Sequence, residues 1–208
     1  MPNEVTLIMT SYHGNEMTID CVDYLLKNTE YPSYKLIIVE NSKDDNLFNE
    51  LKKYYESNEM VLILQNPSDN TSYAAGLNYG IKHTENDVVL MNNDIKFKDE
   101  FWLRRIVELN LYISVREMPL CMMGVKNTSG DSYVPRATYL TLPSYLKIDN
   151  SFMISFAMVF IPRRIINMVG LLDEENFEKG GFDDDDYCLR VKLNGFGLCY
   201  LSGEYIHY

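Results

Sequence analysis

The sequence has no GxGxxG and no GxxxxGK[ST] segment. It therefore lacks the backbone cradles that a dinucleotide-dependent hydride-transfer domain and a P-loop enzyme use for phosphate. It has no CxxC pair either: Cys21, Cys121, Cys188 and Cys199 stand apart, each in an apolar stretch. That excludes a zinc or redox motif and a disulfide framework, and leaves four thiols expected to act as small hydrophobes in a reducing compartment. Cations are scarce, with 19 Lys+Arg against 30 Asp+Glu and a net charge of −11. Such a balance argues against wrapping a nucleic-acid backbone. The longest apolar run, residues 152–161, is interrupted by Ser155 and falls short of the ~20 residues a bilayer demands. Met1-Pro2-Asn3-Glu4 has no basic region before an apolar block, so no signal peptide is visible. The expected location is the cytoplasm, with peripheral contact at a membrane left open.

What remains is an ordinary globular composition, 208 residues with 46% apolar and 24% charged. A chain of this length forms one domain and buries roughly 70% of the surface its unfolded form exposes. Its pattern is alternation. Apolar runs at 5–9, 34–39, 61–64 and 87–91 read as strands, and helical spacing at 16–27, 46–55, 73–83 and 101–113 separates or follows them. Strands that are apolar throughout belong to a parallel sheet covered on both faces. The second half is less regular. Strands are expected at 119–125, 152–160 and 198–201, a polar loop at 127–143, and helices at 163–169 and 184–194, the last stopped by Gly195.

In an open α/β sheet, ligands bind beyond the carboxyl ends of the strands. Here those ends carry Thr10-Ser11-Tyr12, Glu40-Asn41-Ser42, Asn66-Pro67-Ser68 and Asn92-Asn93-Asp94. Asn, Asp and Ser are common turn residues, yet their presence on every turn of one rim favours a polar ligand with ring amides and a diphosphate. Asn92 and Asp94 point to one side, since strand side chains alternate, and an acid there suits a divalent cation that bridges phosphates. The run Asp183-Asp184-Asp185-Asp186 opens a helix, where its charge meets the positive helix N-terminus. Only residues three apart, Asp183 and Asp186, share a face. His207 stands one residue from the end.

The order of these pieces resembles a family 2 glycosyltransferase of the GT-A fold, in particular the rhamnosyltransferase-like branch. The strand 5–12 is similar to the family's "V-x-x-I-x-x-Y", Val39-Glu40-Asn41-Ser42 to "V-D-N-S", and 73–81 to "F-A-x-G-x-N-x-G-I". Residues 90–95 resemble "L-L-N-x-D", and 169–174 with 182–190 resemble "V-G-x-F-D-E … E-D-x-D-L-C-x-R". The resemblance implies a Rossmann-like α/β domain, mostly parallel in its central sheet with helices on both faces. Residues 1–95 would form a nucleotide-binding half and 96–208 an acceptor and catalytic-base half. It implies donor contacts from Thr10, Tyr12, Glu40, Asn41, Ser42, Asn78, Asn92 and Asn93. Asp94 and His207 would ligate Mn2+ or Mg2+. Asp184 would be the catalytic base, with Asp186 as the alternative register, and Arg190 would fix that helix or meet phosphate. The sequence departs from the pattern at Glu40 (for Asp), Asn92, Asp183 (for Glu) and Phe156 (for a small Gly).

The chemistry agrees. Moving a sugar from a nucleotide diphosphate needs a cation to neutralise the departing anion and a carboxylate to activate the acceptor hydroxyl. One base facing the metal gives a single displacement with inversion. The donor is expected to be UDP-, dTDP- or GDP-linked, and the acceptor a hydroxyl of a glycan, lipid-linked glycan, protein or nucleic acid. The cationic spots Arg104-Arg105 and Arg163-Arg164 are candidates for meeting an anionic acceptor or lipid surface. A homo-oligomer is left open. The alternatives are a non-catalytic nucleotide-sugar-binding subunit and a nucleotidyltransferase, though the latter wants a cationic loop after the first strand and residues 10–15 hold no Lys or Arg.

Overall fold

The computed structural model describes residues 4–127, 148–150, 153–178 and 180–207. The elements run β1 (Val5–Ser11), α1 (Asn15–Asn28), β2 (Tyr34–Glu40), α2 (Asp45–Tyr54), β3 (Val61–Gln65), α3 (Tyr73–Ile81) and β4 (Asp87–Met91). They continue with β5 (Ile95–Phe97), α4 (Trp102–Val115), β6 (Cys121–Asn127), β7 (Ile148–Asn150), β8 (Met158–Ile161), α5 (Arg163–Val169), α6 (Asp183–Leu193) and β9 (Gly197–His207). The polar loop expected after residue 127 lies outside the described residues.

One sheet carries the fold, in the order β3-β2-β1-β4-β8-β6-β9-β5, with β7 paired to β9. Strands β3, β2, β1 and β4 are parallel, as the continuous apolar runs demand. Successive residues of β1 alternate between two cores. Leu7 and Met9 face α1, α2 and α4 through Val22, Leu25, Leu51 and Ile106. Ile8 faces α3, α5 and α6 through Leu77, Ile81, Ile165 and Val191. Both faces are dry, so the fold class is the expected one. Beyond β4 the sheet is mixed: β8 runs antiparallel to β4 and β6, β9 parallel to β6, and β5 antiparallel to β9.

Three details differ from the periodicity. Strand β5 has only three residues, too few to leave a pattern. Strand β9 continues to His207 instead of stopping near 201. The strand expected over 152–160 begins only at Met158, because residues 153–157 are held by other partners. The Ile154 amide donates to Cys188 Sγ at 3.3 Å, and the Phe156 carbonyl accepts from Tyr73 Oη at 2.8 Å. The Ala157 carbonyl accepts from the Asn92 amide at 3.0 Å, one step beyond the β4–β8 ladder. Ladder pairing would compete for the Ile154 and Phe156 groups.

Helix α3 lies unusually close on the sheet. A Cβ on Gly76 would sit 2.6 Å from Thr10 Cγ2, and one on Gly80 would collide with Ile8 Cγ2. Four residues apart, these two glycines put one bare helix stripe against β1 and β2. Ile8 is β-branched and fully buried, so its methyl cannot swing away. Gly80→Ala is therefore expected to lower stability by about 1–3 kcal/mol in urea unfolding, although alanine is the better helix former.

Candidate active site at the carboxyl rim

The parallel strands deliver Ser11, Glu40, Gln65 and Met91 to one rim. The loops behind it are tied together largely by asparagine. Asn41 donates to the carbonyls of Thr71 and Ser72, both at 2.9 Å, and its Oδ1 accepts from Asn66 at 2.6 Å. Asn78 donates to Leu172 O at 2.8 Å and to Glu174 Oε2 at 2.7 Å, while its Oδ1 accepts from the Leu172 amide at 3.0 Å. Asn93 donates to Thr18 Oγ1 at 2.9 Å, which in turn bonds Ser11 Oγ at 2.8 Å. Of the residues expected to bind donor, Asn41, Asn78 and Asn93 thus have amides engaged in holding the rim. Asn66 and Glu174 belong to the same framework, although residue type alone marks Asn66 only as a turn residue and assigns Glu174 no role.

Glu40 is wholly buried. Its Oε1 accepts from the amide and hydroxyl of Ser42, and its Oε2 has no hydrogen-bond partner. Thr10 is buried beside it on β1, whereas Tyr12 is 56% exposed, its ring edge-on to His13.

The short ladder of β5 with β9 pairs Ile95 with His207 and so carries the chain end to Asp94. His207 Nε2 lies 3.1 Å from Asp94 Oδ1 and 3.0 Å from Asn92 Nδ2. The ring nitrogen thus sits between the Asp94 carboxylate and the Asn92 side-chain amide, and Asp94 Oδ1 is buried. Burial holds the Asp94 carboxyl above the usual carboxylate range, with the His207 ring pulling it down. The residues fit a divalent cation of the Mn2+ or Mg2+ kind: one carboxylate, one imidazole, and further positions for oxygens of a ligand and water. Among the described residues no cluster of three or more His, Cys, Asp and Glu could hold a metal by itself.

Across the cleft, Gly180, Gly181 and Phe182 are all left-handed, with φ of 73°, 85° and 65°. This turn sends the Phe182 ring into solvent and Asp183 inward, 73% and 7% exposed respectively. Asp183 Oδ2 is buried without a partner. Burial raises the Asp183 pKa, its own backbone N–H opposes the shift, and the Asp184 charge raises it further. Asp184 is half-buried, and its Oδ1 accepts from the Asp185 amide at 3.0 Å. Asp186 is bound to Arg190 Nε at 2.7 Å. Arg190 also donates to Leu171 O at 3.0 Å, the helix-fixing role of its two alternatives. Tyr73 joins the two sides. Burial raises its phenol pKa, and the charges of Asp183, Asp184 and Asp94 raise it further.

The cationic spots do not stand free. Arg163 donates to the carbonyls of Asn86 and Thr84 at 3.0 and 2.8 Å, Arg105 pairs with Asp99 at 3.0 Å, and Arg104 covers the Phe101 ring. Among the described residues no helix is long and apolar enough to cross a membrane.

The profile described as "Glycosyltransferase like family 2" matches residues 2–207. The chain belongs to this family. Its fold is that of GT-A glycosyltransferases. The mannosyltransferase PcManGT from Pyrobaculum calidifontis, solved with GDP-Man and Mn2+, superposes with a TM-score of 0.67 at 12% identity, over 96% of this chain and 57% of its own. S. aureus TarS 1-349 superposes with a TM-score of 0.67 at 14% identity, over 98% and 60%. Its complex with UDP-GlcNAc gives 0.66 at 13% identity, over 98% and 58%. The family 2 chain thus spans less than two thirds of these neighbours. No curated protein matches it by sequence.

An acid with a raised native pKa binds its proton more tightly when folded, so ionising it erodes stability as pH climbs from the unfolded value through the folded one. Asp183→Asn is accordingly expected to raise Tm at pH 7.5. The gain should vanish below about pH 4, where both forms of the wild-type carboxyl are protonated. Thermal melts at the two pH values check this.

Proposed function

We propose that this domain is an inverting, divalent-cation-dependent glycosyltransferase that moves a sugar from a nucleotide diphosphate to an acceptor hydroxyl. The observation that carries the reading is the placement of Asp94 and the Asp183–Asp184 pair around one buried phenol, Tyr73. A candidate cation ligand and a candidate base thus lie near a single buried side chain. Family membership and neighbours bound to GDP-Man with Mn2+ or to UDP-GlcNAc support the donor class. The motif order keeps the rhamnosyltransferase-like branch as the finer assignment.

Asp94 and His207 would hold the cation, which would supply positive charge to the departing diphosphate. Asn92 fixes the His207 ring through its 3.0 Å contact. Asp184 is the base: half-buried, it accepts the proton of the acceptor hydroxyl as that oxygen bonds the anomeric carbon. The bond from that carbon to the phosphate oxygen breaks on the opposite side, so configuration inverts. Asp186 is unsuited to the task, since its carboxylate is held by Arg190. The rim formed by Thr10, Tyr12, Glu40 and Ser42 receives the nucleotide.

Thermal-shift titration with UDP-, GDP- and dTDP-linked sugars, with and without Mn2+, should raise Tm for one nucleotide class only when the cation is present. Asp184→Asn should keep that shift while transfer or donor hydrolysis falls by about 10²–10⁴-fold. Full turnover in the variant would assign the base elsewhere. His207→Ala should raise the Mn2+ concentration needed for half-maximal shift, and EDTA should abolish the shift in the wild type.

A further inference from the structure

We propose that Cys121 and Cys199 are a dithiol that hydrogen peroxide converts to a reversible disulfide between β6 and the start of β9. No CxxC spacing announces the pair; the sheet makes it. In the parallel ladder of β6 with β9, Cys121 stands opposite Gly197 and Met123 opposite Cys199. Side chains alternate along a strand, so Cys121, Gly197 and Cys199 share one face. The sulfurs lean towards each other. A Cβ on Gly197 would stand 2.5 Å from Cys121 Sγ, so glycine leaves the space through which that sulfur reaches over β9. Cys199 Sγ leans back towards β6, 3.8 Å from Met122 O, and its thiol also donates to the Cys121 sulfur.

The two thiols have unlike surroundings. Cys199 is 1% exposed, whereas Cys121 is half-buried. Leu120 and Phe196, the residues just before the two strands, line a surface cavity of about 550 Å3, which brings solvent to the start of both. The bond from Cys199 holds the Cys121 pKa below its ordinary value, with burial opposing. The same bond, followed by burial, raises that of Cys199. A reactive thiol needs access and thiolate character. Cys21 and Cys188 have neither: both are buried, and burial pushes their thiols up to about 12.

The Cys121 thiolate attacks one peroxide oxygen and the O–O bond breaks. A sulfenic acid forms, and the released hydroxide takes up the Cys121 proton as water. The Cys199 sulfur then attacks that of Cys121. The S–S bond forms, the S–O bond breaks, and the departing hydroxide leaves as a second water with the Cys199 proton. Two thiols thus lose two electrons and two protons, and peroxide takes both. Diagonal positions on a sheet stand slightly farther apart than a relaxed disulfide holds its Cα atoms. Closure therefore draws β9 towards β6, and such a bond is readily reduced again.

Native protein treated with a small excess of hydrogen peroxide, denatured in N-ethylmaleimide and digested with trypsin should yield residues 117–126 joined to 193–208. The joined mass should be two hydrogens below the sum of the free peptides, and dithiothreitol should release both. Cys121→Ser should keep its three thiols through the same treatment. Gly197→Ala retains both thiols but displaces the Cys121 sulfur; it should slow closure about tenfold while dimedone traps more sulfenic acid on Cys121. Thermal melts check that both variants fold, and the wild-type linkage decides the matter without them. Four thiols left free in the wild type would overturn the proposal. So would a bond to Cys21 or Cys188, a bond between two chains, or oxidation of Cys121 that never joins Cys199.

Discussion

The pairing of β9 with three different strands is the constraint on which the site depends. β9 runs parallel to β6 from Gly197 to Tyr205, antiparallel to β7 over Cys199–Leu201, and antiparallel to β5 over its last three residues. The register shifts between Val125 and Lys126. Such an irregularity bends a strand and increases its twist, as a strand with partners at both ends requires. The three residue pairs of the β5 ladder hold His207 in a strand. With them it stands 3.1 Å from Asp94. Asp94 and His207 are thus joined by sheet hydrogen bonds made more than a hundred residues apart in sequence.

On the other side of the cleft, order comes from buried amides. Asn41, Asn66, Asn70 and Asn78 connect the loops after β2 and β3 to α3 and to residues 172–174. An asparagine both donates and accepts, so it can satisfy two backbone segments at once. In a dry setting each such bond is costly to leave unmade. This gives a hydrogen-bonded platform along the carboxyl rim. The acidic turn before α6, with its three left-handed residues, is the strained part. Strain of that kind concentrates at functional sites.

Much of this was legible in the residues. The continuous apolar strands declared a two-faced parallel sheet, and the alternating cores of Leu7, Ile8 and Met9 bear that out. Asp94 and His207 come together as the motif order implied. The periodicity missed β5 because three residues do not establish a period, and misread 153–157 because an apolar segment can be held by side chains as well as by a ladder. Polar residue type leaves the partner open. Asn78 and Asn93 have the chemistry of ligand contacts, but whether an amide faces a ligand or its own backbone depends on tertiary neighbours. Asp183 lay hidden in a run of four identical residues, where only burial separates one carboxylate from the next.

The thiol of Cys188 has a kinetic consequence. It accepts from the Ile154 amide at 3.3 Å, and burial pushes its pKa up to about 12. Almost none of it is thiolate near neutrality, and the sulfur is fully covered. Alkylation therefore has to wait until residues 153–157 lift away from α6. The same segment bonds Tyr73 and Asn92, so its opening loosens both sides of the cleft together. The rate at which Cys188 is consumed by a thiol reagent is then a clock for how often the whole site comes apart.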